Sequence, residues 1–220
     1  MNIILNDVEV RVLACLIEKE KTTPDYYPLT LNALTHACNQ KSNRNPVVSF
    51  EETDIVMRLE SLNQKGLTEK IIKADSRVPK YRHLFDTRLD VAPRESALMC
   101  ELMLRGPQTT GELRGRADRM YQFRDIHEVE EILTGLMERE VPLVTKLPRQ
   151  AGQKERRYAH LLSGEPEIQE AEKSVPDEAA SIQVQSENQR IQKLEEDLSR
   201  LRKEFDVLKN EFNDLKSQLE

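Results

Sequence analysis

The chain has no tryptophan, and aromatic residues make up only 5% of its 220 residues. Such a sparse aromatic supply argues against one large core and favours small helical modules. Cysteine is scarce too. Cys15, Cys38 and Cys100 are the only three, too few and too badly spaced for a disulfide framework or a zinc site. They read as reduced core residues, which predicts a cytoplasmic protein. No run approaches the roughly 20 apolar residues that span a bilayer. The first residues lack a basic stretch followed by an apolar one, so no secretory signal is expected. Glycine-rich phosphate loops, nucleophile elbows and zinc-binding spacings do not occur either. The expectation is a protein with no catalytic centre, no cofactor, no metal and no membrane partner.

Charge, by contrast, is plentiful at 33% of residues, and it is unevenly placed. Residues 1–90 carry 13 basic and 13 acidic side chains, and residues 91–164 carry 12 and 11. Residues 165–220 carry 8 and 15. The body is thus close to neutral and the tail is acidic. Overall acidity neither excludes nucleic-acid binding by the body nor supports it.

The stretch from Ser49 to Phe85 sets the architecture. Ser49-Phe50-Glu51-Glu52 has the form of a capping box. Ile55, Val56, Leu59 and Leu62 follow at helical spacing, and Gly66 suits the left-handed position after the helix. Two strand-like runs, 67–72 and 78–85, flank the turn Ala74-Asp75-Ser76. A helix followed by a basic two-stranded hairpin is the second half of a winged helix-turn-helix. Ahead of it, Asn6 with Glu9 caps a first helix with Val8, Val12, Leu13, Leu16 and Ile17 on its apolar face. Pro28-Leu29-Thr30 leads into a short second helix with Leu31, Leu34 and Cys38 inward.

The pattern begins again at Pro93, which suits a first helical turn. Thr109 with Glu112, and Asp125 with Glu128, start two further helices. Residues 143–147 and 156–162 read as the strands of a second wing. Aligning the units matches Cys15 to Cys100, Pro28-Leu29-Thr30 to Pro107-Gln108-Thr109, Leu59 to Leu136, and Tyr81, His83 and Leu84 to Tyr158, His160 and Leu161. The offset drifts from 85 to 79 to 77, so loops shorten while elements persist. Repeats this long are duplicated domains rather than solenoid units, whose periods run about 20–50 residues.

Residues 163–183 form an acidic, flexible linker with little to bury. Beyond it, Ile191, Leu194, Leu198, Leu201, Phe205, Leu208, Phe212, Leu215 and Leu219 alternate in steps of three and four. That is a heptad seam, and it predicts self-association as a parallel coiled coil over 184–220. The expected fold class is mainly α with small β wings (α+β). Its domains are a winged helix over 1–90, a second over 91–162, the linker, and the coiled coil.

Some loops point further. Thr23-Pro24-Asp25-Tyr26-Tyr27-Pro28, Cys38-Asn39-Gln40-Lys41-Ser42-Asn43-Arg44, Gly111-Glu112-Leu113-Arg114 and Arg119-Met120-Tyr121 resemble the bacterial YceH-like family, over about residues 3–164. The resemblance implies two tandem winged-helix domains and no particular activity.

In winged-helix proteins the start of the third helix usually meets base edges in the major groove. Here those positions hold Phe50, Glu51, Glu52 and Asp54, and then Ile126, His127, Glu128, Glu130 and Glu131. Carboxylates repel phosphates, so both are poor recognition helices. Basic residues lie to either side. Lys41 and Arg44 precede the first third helix, and Arg114, Arg116, Arg119 and Arg124 precede the second. Lys70, Lys73, Arg77, Lys80 and Arg82 sit on the first wing, and Lys146, Arg149, Lys154, Arg156 and Arg157 on the second. Loops and wings of this kind would clamp phosphates with salt-dependent, weakly specific affinity. A solvated surface would show the same residues. The leading expectation is a DNA-binding, regulatory protein that dimerises through its tail. The rival is an adaptor that docks a protein partner on its acidic third helices. His83 and His160 read as structural, and Tyr26, Tyr27 and Tyr121 as packing residues rather than base-stacking ones.

Overall fold

Asn6 opens the first helix, α1 (Asp7–Thr22), by a reciprocal pair of hydrogen bonds. Its Oδ1 accepts from the Glu9 amide at 3.0 Å, and Glu9 Oε2 accepts from the Asn6 amide at 2.8 Å. Two of the orphan donors at the helix start are thereby satisfied. The structure, a computed structural model, describes residues 3–72, 78–149 and 155–166. It is a mixed α+β fold, mainly helical with small antiparallel sheets. The linker, the heptad seam from Ile191 to Leu219, and the candidates Arg77 and Lys154 lie outside the described residues.

After α1, strand β1 (Leu29–Thr30) runs into α2 (Leu31–Cys38), with the Thr30 hydroxyl accepting from the Ala33 amide. The next helix, α3 (Glu52–Gln64), starts later than the Ser49 motif predicts. Its cap is Glu51, whose amide donates to Asp54 Oδ2 at 3.2 Å. The cause is Asn39, which grips the Phe50 backbone from both sides. The Phe50 amide donates to Asn39 Oδ1 at 2.8 Å, and Asn39 Nδ2 donates to the Phe50 carbonyl at 2.9 Å. Residue 50 is thereby held outside the helix. The far end closes as predicted. Gly66 takes φ 72° and the Leu67 amide reaches back to the Leu62 carbonyl, the six-to-one bond of a Schellman end.

Strand β2 (Thr68–Ile71) pairs antiparallel with β3 (Lys80–His83), Thr68 opposite His83 and Ile71 opposite Lys80. β1 adds to the other edge of β3, with Leu29 opposite Tyr81, so the order is β1-β3-β2. The strand predicted to reach Phe85 stops at His83. Phe85, fully buried, instead opens a short helix, α4 (Phe85–Leu89).

The same order returns in α5 (Pro93–Arg105), α6 (Thr110–Ala117), α7 (Ile126–Met137), β4 (Val144–Lys146) and β5 (Tyr158–His160). Thr109 with Glu112 caps α6 reciprocally, and Asp125 Oδ1 accepts from the Glu128 amide at the start of α7. The strands are shorter than 143–147 and 156–162. In place of β1, Gln108 and Tyr158 exchange two backbone bonds of 3.0 and 2.8 Å. Leu29–Tyr81 and Gln108–Tyr158 are the pairs that the sequence alignment sets side by side.

Helix α1 packs lengthwise on α5. Leu13, Leu16, Leu98 and Leu102 are fully buried there, and the Cys100 thiol meets the Ala14 carbonyl at 3.3 Å. Fully burying each such leucine contributes roughly 1.5–3 kcal/mol. Backbone bonds also join the two halves beside this contact, from the Asn45 amide to the Leu104 carbonyl and from the Leu5 amide to the Leu162 carbonyl. All the described residues fall in one compact unit.

Candidate nucleic-acid interface

The basic residues proposed from sequence separate into three groups. The first is bound to buried carboxylates. Arg44 was expected on a solvated loop, but only 6% of it is exposed. Its Nη1 and Nη2 donate to Glu18 Oε1 and Oε2 at 3.0 and 2.5 Å, and its Nε to the Ala37 carbonyl at 3.2 Å. Arg119, after α6, spans Glu18 Oε1 at 2.7 Å and Glu101 Oε1 at 2.8 Å. Arg105 then holds Glu101 Oε2 at 3.2 Å and reaches Asn43. The chain Arg44–Glu18–Arg119–Glu101–Arg105 thus ties the loop after α2 to α1, α5 and the turn after α6.

Burial alone would push the Glu18 carboxyl up. The Arg44 hydrogen bonds and the charges of Arg44 and Arg119 outweigh it and hold Glu18 below the ordinary carboxylate range. Arg119 is likewise pushed up against the desolvation it suffers. An ion pair this enclosed is strongly destabilised when one member is removed, because the other is left buried and unpaired.

The second group lies nearer the surface but is occupied. Arg116 donates to Gln108 Oε1 at 2.7 Å and meets Glu112 at 3.3 Å. Arg157 donates to Glu112 Oε2 at 2.9 Å and to the Pro107 carbonyl at 2.8 Å. Glu112 is held below its usual range: burial raises it, but the Thr109 amide and the charges of Arg157 and Arg116 prevail. Arg82 pairs with the facing Glu69 across β2 and β3. Arg114 donates to the Arg124 carbonyl at 3.3 Å.

The third group is Lys41, Arg149 and Arg156, all exposed, with Lys80 half-buried opposite Ile71. Arg156 lines a groove of about 310 Å3 with Thr110, Ile126, Glu130, Lys146 and Glu155, over Tyr158. Lys146 Nζ sits 5.3 Å from the centre of the Tyr158 ring, within cation–π range. This groove brings the start of α7 and the second hairpin together, and its two cations share it with two carboxylates.

The starts of the third helices remain acidic and open. Glu51 and Glu52 are exposed, as are Glu130 and Glu131, whereas Glu128 turns inward to accept from the Arg124 amide. Tyr27 is not a stacking platform, since its hydroxyl accepts from the His83 amide at 2.7 Å. Tyr121 packs on Phe123, while Tyr26 is 77% exposed. His83 Nε2 pairs with Glu20 at 2.8 Å. Among the described residues no group of three or more His, Cys, Asp or Glu side chains could hold a metal ion. Nor, among them, is any helix long and apolar enough to cross a membrane.

Glu18 and Glu101 were missed from sequence, although a signal was there. Glu18 follows Ala14 by four and Cys15 by three, so it falls on the buried stripe of α1. Glu101 stands in the same relation to Leu98. A carboxylate on an apolar stripe requires a cation from elsewhere.

Residues 5–153 match the family described as "Protein of unknown function, DUF480", and the chain belongs to it. A "UPF0502 protein" of Geobacter sulfurreducens is 58% identical over 185 residues, which cover 84% of each chain. One from Pelobacter propionicus is 60% identical over 166 residues, 75% of each. Another, from Koribacter versatilis, is 55% identical over 162 residues, 74% of this chain and 75% of its own.

Proposed function

We propose that the chain is a tandem winged-helix protein of the YceH-like kind that acts as a cytoplasmic interaction adaptor, with no catalytic activity. Each half would be one winged-helix domain. Their acidic third helices would dock a basic protein partner, and the tail over 184–220 would dimerise as a parallel coiled coil. One observation carries the choice of partner. Arg44, Arg119, Arg116 and Arg157 are committed to carboxylates of the chain itself, while Glu51, Glu52, Glu130 and Glu131 stand open to solvent. Support for the winged-helix reading comes from the element order, helix, strand, helix, helix, hairpin, with β1 on the edge of β3.

The test is fluorescence anisotropy on the full chain with two probes, an arginine-rich peptide and a random DNA duplex. The adaptor reading expects peptide binding that is lost when Glu51, Glu52, Glu130 and Glu131 are all changed to Lys, and little duplex binding. Peptide binding that survives the reversal would assign it to the acidic tail and overturn this surface.

A second reading, weakly specific binding of double-stranded DNA, is favoured by Lys146 and Arg156 in the groove beside α7 and by exposed Lys41. It expects duplex binding that weakens steeply with salt.

A further inference from the structure

At the base of the second hairpin, the ends of α4 and α7 line an open pocket of about 440 Å3, within the roughly 300–1,000 Å3 usual for small-molecule sites. Leu89, Val141, Leu143 and Leu162 are among its apolar walls, and Arg88, Asp90, Arg139 and Glu140 are its charged lining. Two cations and two anions therefore share one apolar-walled space. Yet among the described residues none of the four makes an ion pair with another.

Backbone tethers hold the guanidiniums. Arg139 Nη2 donates to the Leu89 and Asp90 carbonyls at 2.6 and 2.9 Å, and Arg88 Nε to the Lys65 carbonyl at 3.4 Å. Their other N–H groups have no partner among the described residues. Asp90 is held at φ 50° at the end of α4, a left-handed conformation that costs free energy and is found at ligand clamps.

We infer that this cavity binds a free α-amino acid with an apolar side chain. Its carboxylate would lie on Arg88 and Arg139, its ammonium on Asp90 and Glu140, and its side chain against Val141 and Leu143. The charge pattern selects the zwitterion. A simple fatty carboxylate would satisfy the arginines but leave the two acids unmatched, and a simple amine would do the opposite. The inference is independent of the adaptor reading and needs neither a protein partner nor DNA.

The experiment is calorimetric titration of the full chain with L-leucine, with isocaproate, which lacks the ammonium, and with isoamylamine, which lacks the carboxylate. Leucine should bind, and each analogue should bind at least about tenfold more weakly, because each leaves charged donors or acceptors unmet. Arg88→Gln should weaken leucine about tenfold and leave isoamylamine unchanged. Glu140→Gln should weaken leucine and leave isocaproate unchanged. Both residues are exposed, so the fold should tolerate either change. Val141→Trp at the mouth should abolish binding. No binding of leucine, methionine or phenylalanine at millimolar concentration would overturn the inference. So would analogues that bind as well as leucine, or a leucine affinity that neither charge variant alters.

Discussion

Glu18 and Arg44, 26 positions apart, meet in a two-point ion pair that is almost fully buried, with Nη1 and Nη2 each donating to its own carboxylate oxygen. Arg119 completes the coordination of Glu18 from the second half of the chain. A residue that looks in sequence like a phosphate clamp therefore acts as a bolt between helices. This is why the basic content of the loops overstates the charge available to a ligand.

Removing one member should cost far more than a surface pair would. Glu18→Gln leaves Arg44 with its buried charge unmet, and a loss of about 3–5 kcal/mol is expected, read from urea denaturation. The same pair sets an acid limit. The Glu18 pKa is lowered in the folded state, so its stabilisation is complete above the unfolded value near ~4.3 and is lost as pH falls through the folded one. Glu18→Gln should flatten that acid limb. A full acid limb in the variant would place the titrating group elsewhere.

His160 should govern a separate window. The residue is half-buried as a whole, but its Nδ1 is wholly enclosed and has no hydrogen-bond partner among the described residues. Burial pushes its pKa down to about 4. Between that value and the unfolded value near ~6.5 the unfolded chain binds a proton that the folded chain does not. Stability should be greatest above the upper value and should decline by up to about 3 kcal/mol across the window. His160→Gln should remove this slope. An NMR titration of His160 with a midpoint near neutrality would contradict the expectation.

What was legible in the sequence was local. The caps at Asn6, Thr109 and Asp125 rest on partners three residues away, and all three form. Gly66 ends α3 because only its own φ is at issue. The failures are interactions at a distance. Ser49 loses the cap of α3 because Asn39, 10 positions earlier, holds Phe50 in place. The two residues of β1 become a strand only because Tyr81 lies beside them. Arg44 is buried only because Glu18 waits on α1. No window of sequence around 44 holds that information.

The matched leucines of the third helices test the repeat. Leu59 is 3% exposed and Leu136 is fully buried. Leu→Ala at either should cost about 2–5 kcal/mol, measured as a shift in the unfolding midpoint at constant slope. A loss below about half a kcal/mol, the usual bound for surface changes, would mean that the helix face is not packed as described.

The two arginines of the second hairpin should separate cleanly if duplex DNA binds. Arg157 is held by Glu112 and by the Pro107 carbonyl, so a phosphate would have to compete with both. Arg156 lines the groove beside Ile126 and Lys146 with no partner of its own among the described residues. Taking one cation away from a phosphate lowers the slope of log affinity against log salt by about one unit. Arg156→Ala should therefore flatten the slope by roughly one unit, similarly for all sequences, while Arg157→Ala leaves the slope nearly unchanged. Arg157→Ala should instead lower stability, by about 0.5–3 kcal/mol, because Glu112 loses a partner. Anisotropy across a salt series and parallel denaturation curves read the two effects apart. Equal slope changes for both arginines would mean that Arg157 leaves Glu112 to reach the duplex. No change for Arg156 would remove the second hairpin from any DNA interface and leave the acidic faces of α3 and α7 as the surface to pursue.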